Sequence, residues 1–76
     1  MEITILAFAQ AREAFGFSSR TVPCDPADTP RALLQRVAPG ANLSRLAVAV
    51  DNEYTQLDAP IGTARELILI PPVSGG

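Results

Sequence analysis

The hydrophobic pattern opens with "MEITILAF", where Ile3, Ile5 and Ala7 alternate with Thr4, Leu6 and Phe8. Period-two spacing rich in β-branched residues predicts a strand, whose successive side chains point to opposite faces. Ile3, Ile5 and Ala7 then share one face, while Leu6 and Phe8 make the other face apolar near the strand end. "AQAREAFG" follows as a short helix, with Gly16 placed to stop it in the left-handed conformation. "SSRTVPC" reads as a weaker strand. Pro23 cannot donate to a central ladder, so this segment belongs on a sheet edge.

The sharpest local signal is "DTPRALLQRVAPG". Thr29 suits an N-cap and Pro30 suits the first helical position, where a missing N–H costs nothing. Leu33, Leu34 and Val37 recur at helical spacing and form one face to lay on a sheet, and Pro39-Gly40 ends the run. Neither Arg31 nor Ala32 can complete a capping box. "RLAVAV" predicts a third strand, Asp51-Asn52 a turn, and "EYTQL" a further strand. "DAPIG" is a loop punctuated by Pro60 and Gly62, and "ELILI" is the last strand, after which Pro71-Pro72 forbids further ladder bonding. Strand, short helix, strand, helix and two or three more strands imply an α+β domain with a single sheet on one main helix.

Composition narrows the chemistry. The chain has 76 residues, enough for one domain with a modest core. No apolar stretch nears the roughly 20 residues that span a bilayer, and no signal peptide opens the chain. Neither a membrane nor a secretory route is expected. A lone cysteine, Cys24, excludes an internal disulfide and fits a cytoplasmic setting, where it reads as a small apolar side chain. A net charge of −2 with six scattered arginines argues against nucleic acid. Lysine and histidine are both absent, which removes a Schiff-base amine, the commonest general base and the commonest metal ligand. Asp51, Glu53 and Asp58 lack the spacing of a metal loop and read as solvated surface, so no metal site is expected. No glycine-rich phosphate loop follows a strand either, so the chain is expected to bind no cofactor itself.

The remaining candidate is the end of the sequence, "PPVSGG". Pro71-Pro72 favours an extended exit with little entropy to lose. Residues 71–76 span at most about 20 Å, enough to enter a partner's pocket while the domain stays outside. Gly75 and Gly76 carry no Cβ, so the backbone passes a narrow channel and takes unusual dihedrals near a reaction centre. The terminal carboxylate of Gly76 becomes an acyl donor once adenylated, and a sulfur nucleophile then leaves a thiocarboxylate. The ATP for that step has to be held by a partner enzyme.

"FAQAREAFG" after the first strand, "AVDNEY" before the last two segments and above all "PPVSGG" resemble the small, sulfur-carrying subunit of molybdopterin synthase. The resemblance spreads over the whole chain. It implies a ubiquitin-like β-grasp domain over residues 1–70 with a tail over 71–76. It also implies a non-catalytic subunit that inserts Pro71, Pro72, Val73, Ser74, Gly75 and Gly76 into a large synthase subunit. An E1-like adenylyltransferase would charge Gly76 with ATP, and a sulfur donor would supply persulfide sulfur. The thiocarboxylate would then deliver sulfur to cyclic pyranopterin monophosphate. Arg12-Glu13 matches an arginine–acid pair of the family's short helix. The chain departs from the family at "TAREL", where many relatives have "DGDEV" and only Glu66 keeps the acidic place, and at "AVDN", where relatives often have "AVN".

The strand pattern adds a docking surface. With Leu67 and Leu69 facing the main helix, Ile68 and Ile70 face away together with Leu6 and Phe8. These four form a candidate partner patch, unless a loop or the short helix covers them. Three other uses stay open: sulfur transfer to a thiazole precursor in thiamine synthesis, a ubiquitin-like modifier joined through Gly76, and an interaction domain with an incidental tail.

Overall fold

A computed structural model of the protein describes residues 1–71. Its elements run β1 (Glu2–Ala7), α1 (Ala9–Phe15), β2 (Ser19–Pro23), α2 (Pro30–Val37), β3 (Ala47–Val50), β4 (Glu53–Thr55) and β5 (Glu66–Ile70). The strands form one mixed sheet in the order β2-β1-β5-β3-β4. β1 and β5 pair in parallel, Ile5 opposite Leu67, and every other pair is antiparallel. This is the β-grasp arrangement expected, with β2 on an edge as Pro23 requires.

Local chemistry sets the helix ends. The Thr29 hydroxyl accepts the Ala32 N–H at 3.2 Å and Pro30 opens α2. Gly16 ends α1 at φ 84°, in the left-handed region that a Cβ disfavours. The β3–β4 hairpin turns on Asp51 (φ 46°) and Asn52 (φ 72°), the two left-handed residues of a two-residue hairpin loop. Asp51 also reaches across to β5. Its Oδ1 accepts the backbone N–H groups of Arg65 and Glu66, each at 3.0 Å.

β3 and β4 are shorter than the sequence pattern predicts. Arg45 and Leu46 stay outside β3 because the Leu46 N–H closes a turn onto the Leu43 carbonyl at 3.2 Å. Gln56 and Leu57 leave β4 because the Gln56 carbonyl accepts the Ala59 N–H at 3.1 Å.

The core lies on one side of the sheet. Ile3 and Ile5 of β1, Leu67 and Leu69 of β5, and Leu33 and Leu34 of α2 are all fully enclosed. The short helix joins the main helix on this side through Ala11 and Phe15. Ile61 and Ala64, from the long connection before β5, complete the packing. That connection is tied to the start of α2, where the Arg31 N–H donates to the Leu57 carbonyl and the Ile61 N–H to the Asp28 carbonyl. Two surface ion pairs, Arg31–Asp58 and Arg36–Asp28, each 2.7 Å, brace the same region.

Candidate functional site

β5 is the central strand, held by β1 on one side and β3 on the other, and Pro71 follows directly from it. Pro71 thus continues from the most constrained part of the sheet. Pro71 is half-buried. Pro72, Val73, Ser74, Gly75 and Gly76 lie outside the described residues.

The face of the sheet turned away from both helices carries Leu6, Ile68 and Ile70 of the candidate patch, and Phe8 lies one residue beyond the end of β1. Leu6 is level with Ile68, and Ile68 is level with Ala49, which pairs with Tyr54. One row therefore crosses the sheet from Tyr54 through Ala49, Ile68 and Leu6 to Ser19. Ala47 and Ile70 form the next row toward the tail. Leu6, Ile68 and Ile70 are half-buried and belong to the outer face, not to the core cluster. The short helix does not cover them, because Ala11 and Phe15 commit it to the opposite side. Phe8 caps the N-terminus of α1 in extended geometry, and Ala9 at φ 48° then turns the chain inward. That reversal leaves the Phe8 ring 55% exposed.

Tyr54, 79% exposed, extends the apolar rows and was missed in reading the sequence. The available signal was its place in "EYT", one residue out of phase with the inward side chains of β4. Away from the tail the same face turns polar: Thr4 and Thr21 share a hydrogen bond of 2.9 Å, with Glu66 beside Thr4. The face is thus divided, apolar toward the tail base and hydroxyl-bearing toward the start of β1.

A groove of about 220 Å³ lies on the other side of the tail base. α1 forms one wall through Gln10, Ala14 and Phe15, the connection before β3 forms the other through Asn42 and Arg45, and Pro71 closes it. Cys24 is half-buried at the far end of the molecule, and burial pushes its thiol up, against the smaller opposing pull of the N-terminal ammonium. Asp28 is held below the ordinary carboxylate range, first by the Asp25 backbone N–H and then by Arg36. Asp58 is held below it by Arg31. Both are structural pairs. Arg12 and Glu13 are exposed on α1. Among the described residues no group of three or more metal-ligating side chains gathers, and no helix is long and apolar enough to cross a membrane.

Comparison with known proteins matches this geometry. The profile of the ThiS family matches residues 5–76. The molybdopterin synthase sulfur carrier subunit of Arabidopsis thaliana is 35% identical over 81 aligned positions, covering 100% of this chain and 84% of that protein. Among solved structures, SAMP1 from Haloferax volcanii superposes with a TM-score of 0.76 at 25% identity, covering all of both chains. The small archaeal modifier protein 1 from Methanosarcina acetivorans gives a TM-score of 0.71 at 17% identity, covering 99% of this chain and 96% of that one, and supports the fold alone. The chain, with its parallel β1–β5 centre and a Gly-Gly sequence beyond it, belongs to the ThiS family of ubiquitin-like sulfur-carrier proteins.

Proposed function

We propose that this chain is the sulfur carrier of a molybdopterin synthase and that Gly76 is the carrying residue. The observation that bears most weight is the 35% identity, over the full chain, to a curated molybdopterin synthase sulfur carrier subunit. The Gly76 carboxylate attacks the α-phosphorus of ATP on an E1-like adenylyltransferase, and pyrophosphate leaves. The terminal sulfur of a persulfide donor then attacks the acyl carbon and displaces AMP. Cleavage of the sulfur–sulfur bond by a thiol leaves the thiocarboxylate. The large synthase subunit receives the tail, and sulfur passes to cyclic pyranopterin monophosphate. The chain itself supplies the acyl group and the docking surface, binds no cofactor and works in the cytoplasm.

The outer face supports this proposal physically. Phe8, Ile70, Ile68 and Leu6 form an apolar surface that begins at the tail base, so docking there aims residues 71–76 into the partner. A second use, as a protein modifier joined to amines through Gly76, is favoured by the full-length match to SAMP1 at a TM-score of 0.76. Both uses share the adenylate and part at the acceptor.

Intact-mass measurement after incubation with ATP, an E1-like enzyme and a persulfide donor separates the outcomes. The expected product gains the mass difference of sulfur for oxygen, located at Gly76, and deletion of Gly76 abolishes it. A gain that survives the deletion overturns the assignment. Transfer to the pterin precursor distinguishes this carrier from one serving a thiazole precursor, and lysine-linked conjugates on other proteins would establish the modifier.

A further inference from the structure

We infer that the end of the molecule from which the tail leaves is kept free of any amine or thiol that an activated Gly76 could acylate, so that the carrier cannot consume itself. This rests on the reading of Gly76 as the activated end. An acyl adenylate is a mixed anhydride. An amine of the same chain that reached it would attack the Gly76 carbonyl carbon, forming a C–N bond as the C–O bond to phosphate breaks. AMP would leave, a proton would pass to solvent, and the tail would end as a dead lactam.

The chain contains no lysine, and its nitrogen-bearing cations are six arginines. A guanidinium stays protonated in water and is no nucleophile, so arginine keeps positive charge on the surface without an acylation site. Histidine is absent as well, which leaves the hydroxyl of Ser44 beside the tail base without a histidine base to activate it. Of amines and thiols, two remain, the α-amine of Met1 and the thiol of Cys24.

Both sit at the opposite end. The Met1 ammonium donates to the Cys24 carbonyl at 3.3 Å, and the Cys24 N–H donates to the Met1 carbonyl at 2.8 Å. β1 and β5 are parallel with Leu6 level with Ile68, so Ile70 is level with Phe8 and Pro71 lies one residue beyond. Eight strand rises therefore separate Met1 from Pro71, about 26 Å along the sheet. Residues 72–76 reach at most about 18 Å from Pro71. The covalent tether is too short to bring the Gly76 carbonyl to either nucleophile.

The groove beside Pro71 gives the test. Arg45 lines it, so Arg45→Lys places an amine within reach of the tail while preserving charge. Ala27→Lys places one on the exposed turn that follows Cys24, at the far end. Each variant and the wild type are incubated with ATP and the adenylating enzyme, without sulfur donor, and followed by pyrophosphate release and intact mass. Arg45→Lys is expected to accumulate a monomer lighter by one water, with position 45 joined to Gly76, at least about ten-fold above Ala27→Lys. Wild type is expected to show none. Absence of that product in Arg45→Lys despite normal pyrophosphate release overturns the inference, as does equal product from Ala27→Lys. Absence of pyrophosphate release from the wild type overturns instead the activation of Gly76 on which it rests.

Discussion

Replacing Phe8 by alanine removes the largest apolar side chain on the outer face near the tail. Phe8 is 55% exposed, and an aromatic residue carries about 150–250 Å², so roughly 80–140 Å² is available for a partner to cover. At about 25 cal/mol per Å² this is worth about 2–3.5 kcal/mol, or about a 30- to 300-fold rise in Kd for the large synthase subunit. The domain itself should hardly notice, because Phe8 is not part of the core cluster and its role as N-cap of α1 uses backbone geometry alone. A shift in unfolding free energy within about 0.5 kcal/mol is expected. Titration calorimetry of both proteins against the large subunit, beside urea denaturation of each alone, measures the two quantities separately. Unchanged Kd would refute docking through this face. A weakened complex accompanied by an equal loss of stability would show that Phe8 acts through the fold and not through contact.

Alternation along β5 sets a contrast on the inward side: Leu69→Ala should cost about 2–5 kcal/mol in urea denaturation, because Leu69 is fully enclosed, whereas Ile68→Ala should cost much less. Similar costs would contradict the assigned faces. Asp51→Ala removes the acceptor of two backbone N–H groups and puts alanine at φ 46°, for an expected loss of about 1–2 kcal/mol. Asp51→Asn keeps an oxygen there and tolerates that backbone, so its denaturation midpoint should stay close to wild type. Asp28 and Asp58 titrate below their unfolded values, so their contribution to stability is complete above about pH 4 and is lost as pH falls through the lower folded values. Thermal unfolding followed from neutral pH downward should show a shallower acid decline for Arg36→Gln than for wild type, since Asp28 then keeps only its backbone partner and titrates closer to its unfolded value; superimposable profiles would contradict the pairing.

Much of the fold is legible because each element announces itself by a different physical signal. Thr29-Pro30 marks a helix start through capping chemistry, Gly16 a helix end through backbone freedom, and "ELILI" a strand through its period of two. The connection between β4 and β5 was harder to read. Ile61 and Ala64 are buried there, yet isolated apolar residues among Pro60, Gly62 and Thr63 have no period from which burial can be inferred. The early ends of β3 and β4 are likewise decided by turns at Leu43–Leu46 and Gln56–Ala59, which compete with the ladder for the same backbone groups. Asp51 announced a turn but not its second role, since acceptance from Arg65 and Glu66 is a contact across the sheet that no local pattern encodes. The shared outer face of Leu6, Ile68 and Ile70 follows from strand parity alone. Tyr54 escaped because β4 is a three-residue strand, too short for an alternation to register. Gly75 and Gly76 are candidates from residue type and position in the sequence alone, and both lie outside the described residues.

The central place of β5 has a consequence for synthesis on the ribosome. Its backbone is the seam between β2–β1 on one side and β3–β4 on the other, and those two halves have no ladder in common. Until residues 66–70 emerge, the nascent chain holds two separate strand pairs, each too small to be stable in water. Pairing across the seam joins segments far apart in sequence, so closure of the sheet comes late. A translation product that stops before Glu66 cannot assemble the outer face. On the proposed function, a chain terminated before Glu66 would lack both Gly76 and the surface that presents it, and so could not occupy the partner as an inert decoy.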